Sequence, residues 1–210
     1  MALVFTLCCA FATTALLWAE MRGMSALRVP AKSAAALSFL AAAIAGGALD
    51  TDFGRLLLSG LAACALGDVL LLSRRAAAFL AGMAAFAVGH ALYAGAFLNA
   101  GVAYTPAAVA GAGAMAASAL GLFMWLRPHL GAFAAPVAAY CVIISAMVAA
   151  SFGYWAAGGE SGAALSGAAA AFALSDVAVA RDRFVDPSPR NRMWGLPLYF
   201  AAQCAFALNV

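Results

Sequence analysis

The sequence predicts an all-α fold: a polytopic membrane protein built as a bundle of eight transmembrane helices, one membrane-embedded domain over residues 1–210. Three observations carry that expectation. Hydrophobic residues make up 67% of the chain and charged residues only 9%, whereas soluble domains carry about 25% charged residues. Apolar runs of the length needed to cross a bilayer fill most of the chain and leave no loop long enough for a domain outside the membrane. The basic residues alternate between loops: ten of the eleven Lys and Arg follow the first, third, fifth and seventh runs, and only Arg55 follows an even-numbered one.

The first run, residues 3–19, ends in Trp18, Glu20 and Arg22, and the second, 34–49, follows Arg28, Pro30 and Lys32. Asp50, Asp52 and Arg55 mark a turn into the third run, 56–72, which holds Asp68 and stops at Arg74 and Arg75. The fourth, 77–98, holds His90 and Tyr93. The fifth starts after Thr105 and is closed by Arg127, Pro128 and His129, and the sixth, 130–155, contains Pro136 and Tyr140. Gly158, Gly159 and Glu160 lead to the seventh, 163–180, with Asp176. The eighth, 193–208, contains Tyr199 and Gln203. The four tryptophans, Trp18, Trp125, Trp155 and Trp194, fall at run ends, where the indole ring favours the headgroup level. The first run lacks the basic lead-in and small-residue cleavage site of a signal peptide and is expected to stay as a span. Because cytoplasmic loops are enriched in Lys and Arg, both termini are expected to face away from the cytoplasm. The Ala-rich composition suggests a bacterial inner membrane.

Within this apolar frame two carboxylates stand out. Asp68 is the only charged residue between Arg55 and Arg74, in ALGDVLLLSRR, and the pattern returns in ALSDVAVARDR with Asp176 in the matching place. The echo fits a 4+4 repeat related by a twofold along the membrane normal, and equally a shared local task of the two segments. Helical rise puts each acid about 8 to 9 Å inside the basic end of its helix. A charge at the centre of a span costs about 2.5 to 3.5 kcal/mol on insertion scales, so an acid there is a functional candidate. The fourth run places Phe79, Gly82, Phe86, His90, Tyr93 and Phe97 on one face, and the eighth places Tyr199 and Gln203 one turn apart.

The plainer readings are structural. Either aspartate would fix helix register by pairing with Lys32 or a loop Arg, His90 would bridge helices, and each tyrosine needs only one partner for its hydroxyl. Two aspartates and His90 are a poor metal ligand set, so no metal or other cofactor is expected. The five cysteines lie in apolar runs without metal-type spacing and read as packing residues. Nothing in the composition supports nucleic acid binding.

These residues, taken together, make the chain similar to the YhhN-like lysoplasmalogenase family of multispan membrane proteins. The resemblance rests on GDVLLL at Gly67 to Leu72, the fourth-helix face through His90 and Tyr93, Tyr140 with Ile144 and Met147, Ser175 and Asp176 followed by Arg183 and Phe184, and Tyr199 with Ala202 and Gln203. It departs from the family's Lys-Pro pair, since Lys32 is followed by Ser33. The resemblance implies hydrolysis of the vinyl ether bond of a lysophospholipid in the membrane, releasing a fatty aldehyde and a glycerophospho-base. The expected site then has Asp68 and Asp176 as acid and base. Lys32, His90, Tyr93, Tyr140, Tyr199 and Gln203 would bind substrate and water. A competing reading uses the same polar core in a transporter or lipid-binding protein. Against transport, the helices lack the paired mid-span Gly/Pro interruptions of many such sites.

Overall fold

A computed structural model describes residues 1–73 and 75–210; Arg74, expected to help close the third span, lies outside the described residues. The elements are α1 (Ala2–Arg22), α2 (Ser25–Ala45), α3 (Asp52–Leu70), α4 (Ala76–Ala100), α5 (Pro106–Leu130), α6 (Ala134–Ala156), α7 (Gly162–Ala180) and α8 (Pro189–Leu208). A 3-10 turn, Gly131–Phe133, joins α5 to α6, and a π-helical turn, Arg181–Val185, continues α7. No strand occurs among the described residues.

The expectation of eight spans needs correction. Helix runs unbroken through Pro106–Ala156 and through Gly162–Val185, so the described residues form seven uninterrupted helical runs. Six of these are long and apolar enough to cross a membrane. The 51-residue run Pro106–Ala156 is counted once among the six although it doubles back: Gly131 takes φ 51° at the 3-10 turn, and α5 packs along α6. The run that falls short is α8, whose Arg190, Asn191, Arg192, Tyr199 and Gln203 dilute its apolar residues. The 4+4 repeat is likewise not supported. The packing of α1 on α8 and of α3 on α8 has no counterpart of similar extent between α5 and α4 or between α7 and α4.

Helix boundaries follow local chemistry. Thr51 and Thr105 cap α3 and α5, their hydroxyls accepting from the backbone N–H of Gly54 at 2.9 Å and Ala108 at 3.2 Å. Gly23 ends α1 in the left-handed conformation at φ 67°, which costs glycine nothing. Helix α2 starts at Ser25, well before its apolar run, and encloses Pro30; α8 starts at Pro189 and encloses Pro197. These early starts place Arg28, Lys32 and Arg192 on helices rather than in loops.

Consecutive helices pack against each other as antiparallel pairs except α4 and α5, and α4 on α6 and α8 on α1 and α2 close the bundle. Small residues set the closest approach. A Cβ at Gly89 would stand 2.6 Å from Cys64 Sγ and 3.1 Å from the Gly60 carbonyl oxygen, so α3 and α4 touch through their backbones there. Gly89→Leu is expected to force the two helices apart and cost about 1 to 3 kcal/mol of stability, seen as a lowered melting temperature in detergent. The aromatic residues Phe86, Phe172, Tyr199 and Phe200 form a T-shaped stack inside the bundle, with Phe39 tilted against Phe200.

Candidate active site

The polar residues of the interior converge from six helices into two clusters. In the first, Asp68 is 3% exposed and has both carboxylate oxygens engaged: Lys32 Nζ lies 3.1 Å from Oδ1, and the Tyr199 hydroxyl donates to Oδ2 at 2.6 Å. Gln203 Nε2 donates to the Tyr199 oxygen at 3.1 Å, while its Oε1 accepts from the Tyr93 hydroxyl at 3.0 Å. A line of hydrogen bonds thus runs from α4 through α8 to the acid on α3, and its buried members constrain one another.

In the second cluster the Tyr140 hydroxyl donates to Asp176 Oδ2 at 2.8 Å. His90 Nε2 lies 2.8 Å from that hydroxyl and 3.3 Å from the same carboxylate oxygen. His90 is fully buried, its ring 4.5 Å from the Phe172 ring, and its Nδ1 has no partner among the described residues. The Asp176 side chain is 20% exposed, against 4% for Asp68. Its Oδ1 takes no hydrogen bond, and Lys or Arg makes no ion pair with it, among the described residues. One acid is therefore closed in and charge-paired, and the other keeps an oxygen open.

Both acids face one cavity of about 940 Å³. Lys32, Tyr140 and Tyr199 line it with them, and its wall is otherwise mostly apolar, from Leu126 near the basic end to Gly111 and Phe152. Leu126 to Gly111 is fifteen residues of α5, about 22 Å of helical rise. His90, Tyr93 and Gln203 do not line the cavity; they stand behind it, holding Tyr140, Asp176 and Tyr199. No group of three or more His, Cys, Asp or Glu side chains is placed to hold a metal ion among the described residues.

Residues 27–210 match the YhhN family. The chain belongs to the YhhN family. It is 33% identical over 162 residues to a bovine (Bos taurus) protein named lysoplasmalogenase TMEM86A, an alignment covering 71% of this chain and 62% of that relative. The chain thus spans less than two thirds of the length of that curated relative. No solved structure matches it.

All eight site residues expected from the sequence lie within the stretch that matches the YhhN family, as do Arg28, Asp182 and Arg192, which lie outside the apolar runs of the sequence. Glu20, on α1, lies just outside it. These four charged residues line the cavity at its basic end. One signal was present in the sequence: Arg28 precedes Lys32 by four residues, one turn on a shared face, once the helix is known to begin at Ser25.

Proposed function

We propose that this YhhN family member hydrolyses the vinyl ether bond of lysoplasmalogens. The observation that carries the proposal is the open Asp176 oxygen beside a long, largely apolar cavity that also contains Asp68. The bovine relative's name supports the same reading. The alkenyl chain lies along the cavity between α5 and α7, which make no extensive contact with each other, so that a lipid can enter from the side. The reaction begins when a carboxylic acid protonates the β-carbon of the vinyl ether. The electron pair of the double bond forms the new C–H bond, and the ether oxygen stabilises the resulting oxocarbenium ion. Water adds to the carbon bearing oxygen and loses a proton to the second carboxylate. The hemiacetal then transfers its hydroxyl proton to the glycerol oxygen and separates into aldehyde and glycerophospho-base.

A carboxyl pair in unlike surroundings suits this division, as glycosidases divide acid and base work around a similar cation. Asp176 has direct reach to the substrate, and Asp68, held by Lys32 and Tyr199, completes the pair. His90, Tyr93 and Gln203 are positioning residues: they fix the hydroxyls of Tyr140 and Tyr199 rather than touch the lipid. The test is incubation of purified protein in detergent with lysoplasmalogen, with released aldehyde as the readout; no aldehyde from protein that elutes as a single folded species overturns the proposal.

The Lys and Arg content of the basic end supports an orientation with that end at the cytoplasmic face. Val210 packs against Gly46, at the opposite end, so a C-terminal reporter that works only in the cytoplasm is expected to stay silent. Full cytoplasmic signal from an intact fusion reverses the orientation.

A further inference from the structure

Charged side chains rim the cavity at its basic end; Arg183 is one, and four others stand in one line of contacts. Glu20, with its side chain only 7% exposed, accepts from Arg28 Nε at 2.6 Å and from Arg192 Nη1. Arg192 Nε donates to Asp182 Oδ2 at 3.4 Å, and Asp182 Oδ1 accepts from the Ser188 backbone N–H at 2.9 Å. The four residues come from α1, α2, the α7–α8 connection and α8, and all face the cavity. They sum to two positive and two negative charges. Arg28 lies one turn outward of Lys32 and Arg192 two turns outward of Tyr199, so the rim stands about 6 to 10 Å beyond the partners of Asp68.

We propose that this rim is a selective site for a zwitterionic phosphoethanolamine headgroup, with Arg28 and Arg192 on the phosphate and Glu20 and Asp182 on the ammonium. The assignment rests on the lysolipid reading of the cavity and specifies which headgroup it takes. A phosphate arriving alone meets two carboxylates that already hold the arginines, and like charges in a partly buried site repel strongly. A headgroup that brings its own ammonium offers each carboxylate a new donor as the phosphate takes the guanidinium groups. Arg28 commits only Nε to Glu20 among the described residues, leaving its two terminal nitrogens for the phosphate oxygens. The ammonium must carry N–H bonds, because carboxylates bind it through them. A trimethylated one would instead need open aromatic faces. The rings that line the cavity at this end, Phe79 and Phe184, pack edge-on against each other, and the Arg183 guanidinium lies 4.6 Å from the centre of the Phe79 ring.

A rim that only pins α1, α2 and α8 together would affect all ligands alike, and that difference is measurable. The probes are three uncleavable 1-O-alkyl lipids of equal chain length, titrated calorimetrically into the purified full chain in detergent: the glycerophosphoethanolamine, the glycerol phosphate monoester and the headless alkylglycerol. The first is expected to bind at least about 10-fold tighter than the other two, the scale of one charge-assisted hydrogen bond. Arg28→Gln is expected to remove most of that preference while leaving alkylglycerol affinity within about twofold, the effect expected of an uninvolved contact. Glu20→Gln should shift preference toward the phosphate monoester by relieving repulsion. Equal affinity of the wild type for all three lipids overturns the proposal without any variant having to fold, and so does an equal loss for all three in Arg28→Gln. Because none of these lipids is cleaved, the result is independent of turnover. Headgroup preference without vinyl ether cleavage would overturn the enzymatic reading alone, and cleavage without preference would overturn the rim alone.

Discussion

Asp176→Asn is expected to lower lysoplasmalogen turnover by about 10²- to 10⁴-fold, the usual loss when a general acid or base is removed. Asn fits the same space and still accepts the Tyr140 hydroxyl bond, but it neither gives nor takes a proton at neutral pH. Since no Lys or Arg pairs with Asp176 among the described residues, the substitution strands no fixed cation, and the melting temperature should stay close to that of the wild type. Asp68→Asn is expected to cost similar activity and stability besides, because it leaves the Lys32 ammonium facing a neutral amide in a confined site. The double variant should be scarcely slower than either single one, since groups that act as a unit are strongly non-additive. Steady-state aldehyde release, with size-exclusion and melting profiles on the same samples, separates the outcomes. If the acids only fix helix register, both variants lose stability and keep near-normal turnover in whatever remains folded. Single variants that retain more than about a tenth of wild-type activity would sink the two-carboxylate mechanism.

The parts of this site that sequence made legible are those that a single helix encodes. The face of α4 bearing Phe79, Gly82, Phe86, His90, Tyr93 and Phe97 is buried throughout, because steps of three and four along one helix leave no choice of side. The two aspartates stood out because an acid in an apolar run is costly wherever the helix packs. Which partner each acid takes was not legible, since Lys32 on α2 reaches Asp68 on α3 only through a packing arrangement that periodicity does not specify. The starts of α2 and α8 were hidden for a different reason. Pro30 and the polar stretch around Arg190 and Arg192 interrupt the hydropathy signal while the backbone continues as helix, so residues at the cavity rim read as loop charges. The continuous Pro106–Ala156 run and the polar α8 show the same limit from the other side: charge alternation counts loops, whereas helix continuity and apolarity are separate properties.

Substrate choice should be nearly all or none. A vinyl ether is expected to be cleaved, and a saturated alkyl ether lysolipid of the same length and headgroup is expected to give no aldehyde above background. The reason lies in the first bond formed. Protonation of the alkene carbon creates a cation that the adjacent oxygen shares, and the carboxylates need only supply and recover protons. A saturated ether has no π electrons to accept the proton at carbon, and breaking its C–O bond directly would expel an alkoxide or form an unstabilised primary cation. Nothing in the cavity, lined by Lys32, Tyr140 and Tyr199 beside the two acids, offsets a barrier of that kind. Both lipids should nevertheless bind, since the cavity meets them through the same apolar wall and the same charged rim, so the alkyl ether is expected to act as a competitive inhibitor. Carbon protonation also leaves a mark that can be read independently: in deuterated water the released aldehyde should carry one deuterium at the carbon next to the carbonyl, measured by mass spectrometry after immediate trapping. Aldehyde without that deuterium, or equal turnover of the two ethers, would rule out a pathway that begins at the alkene.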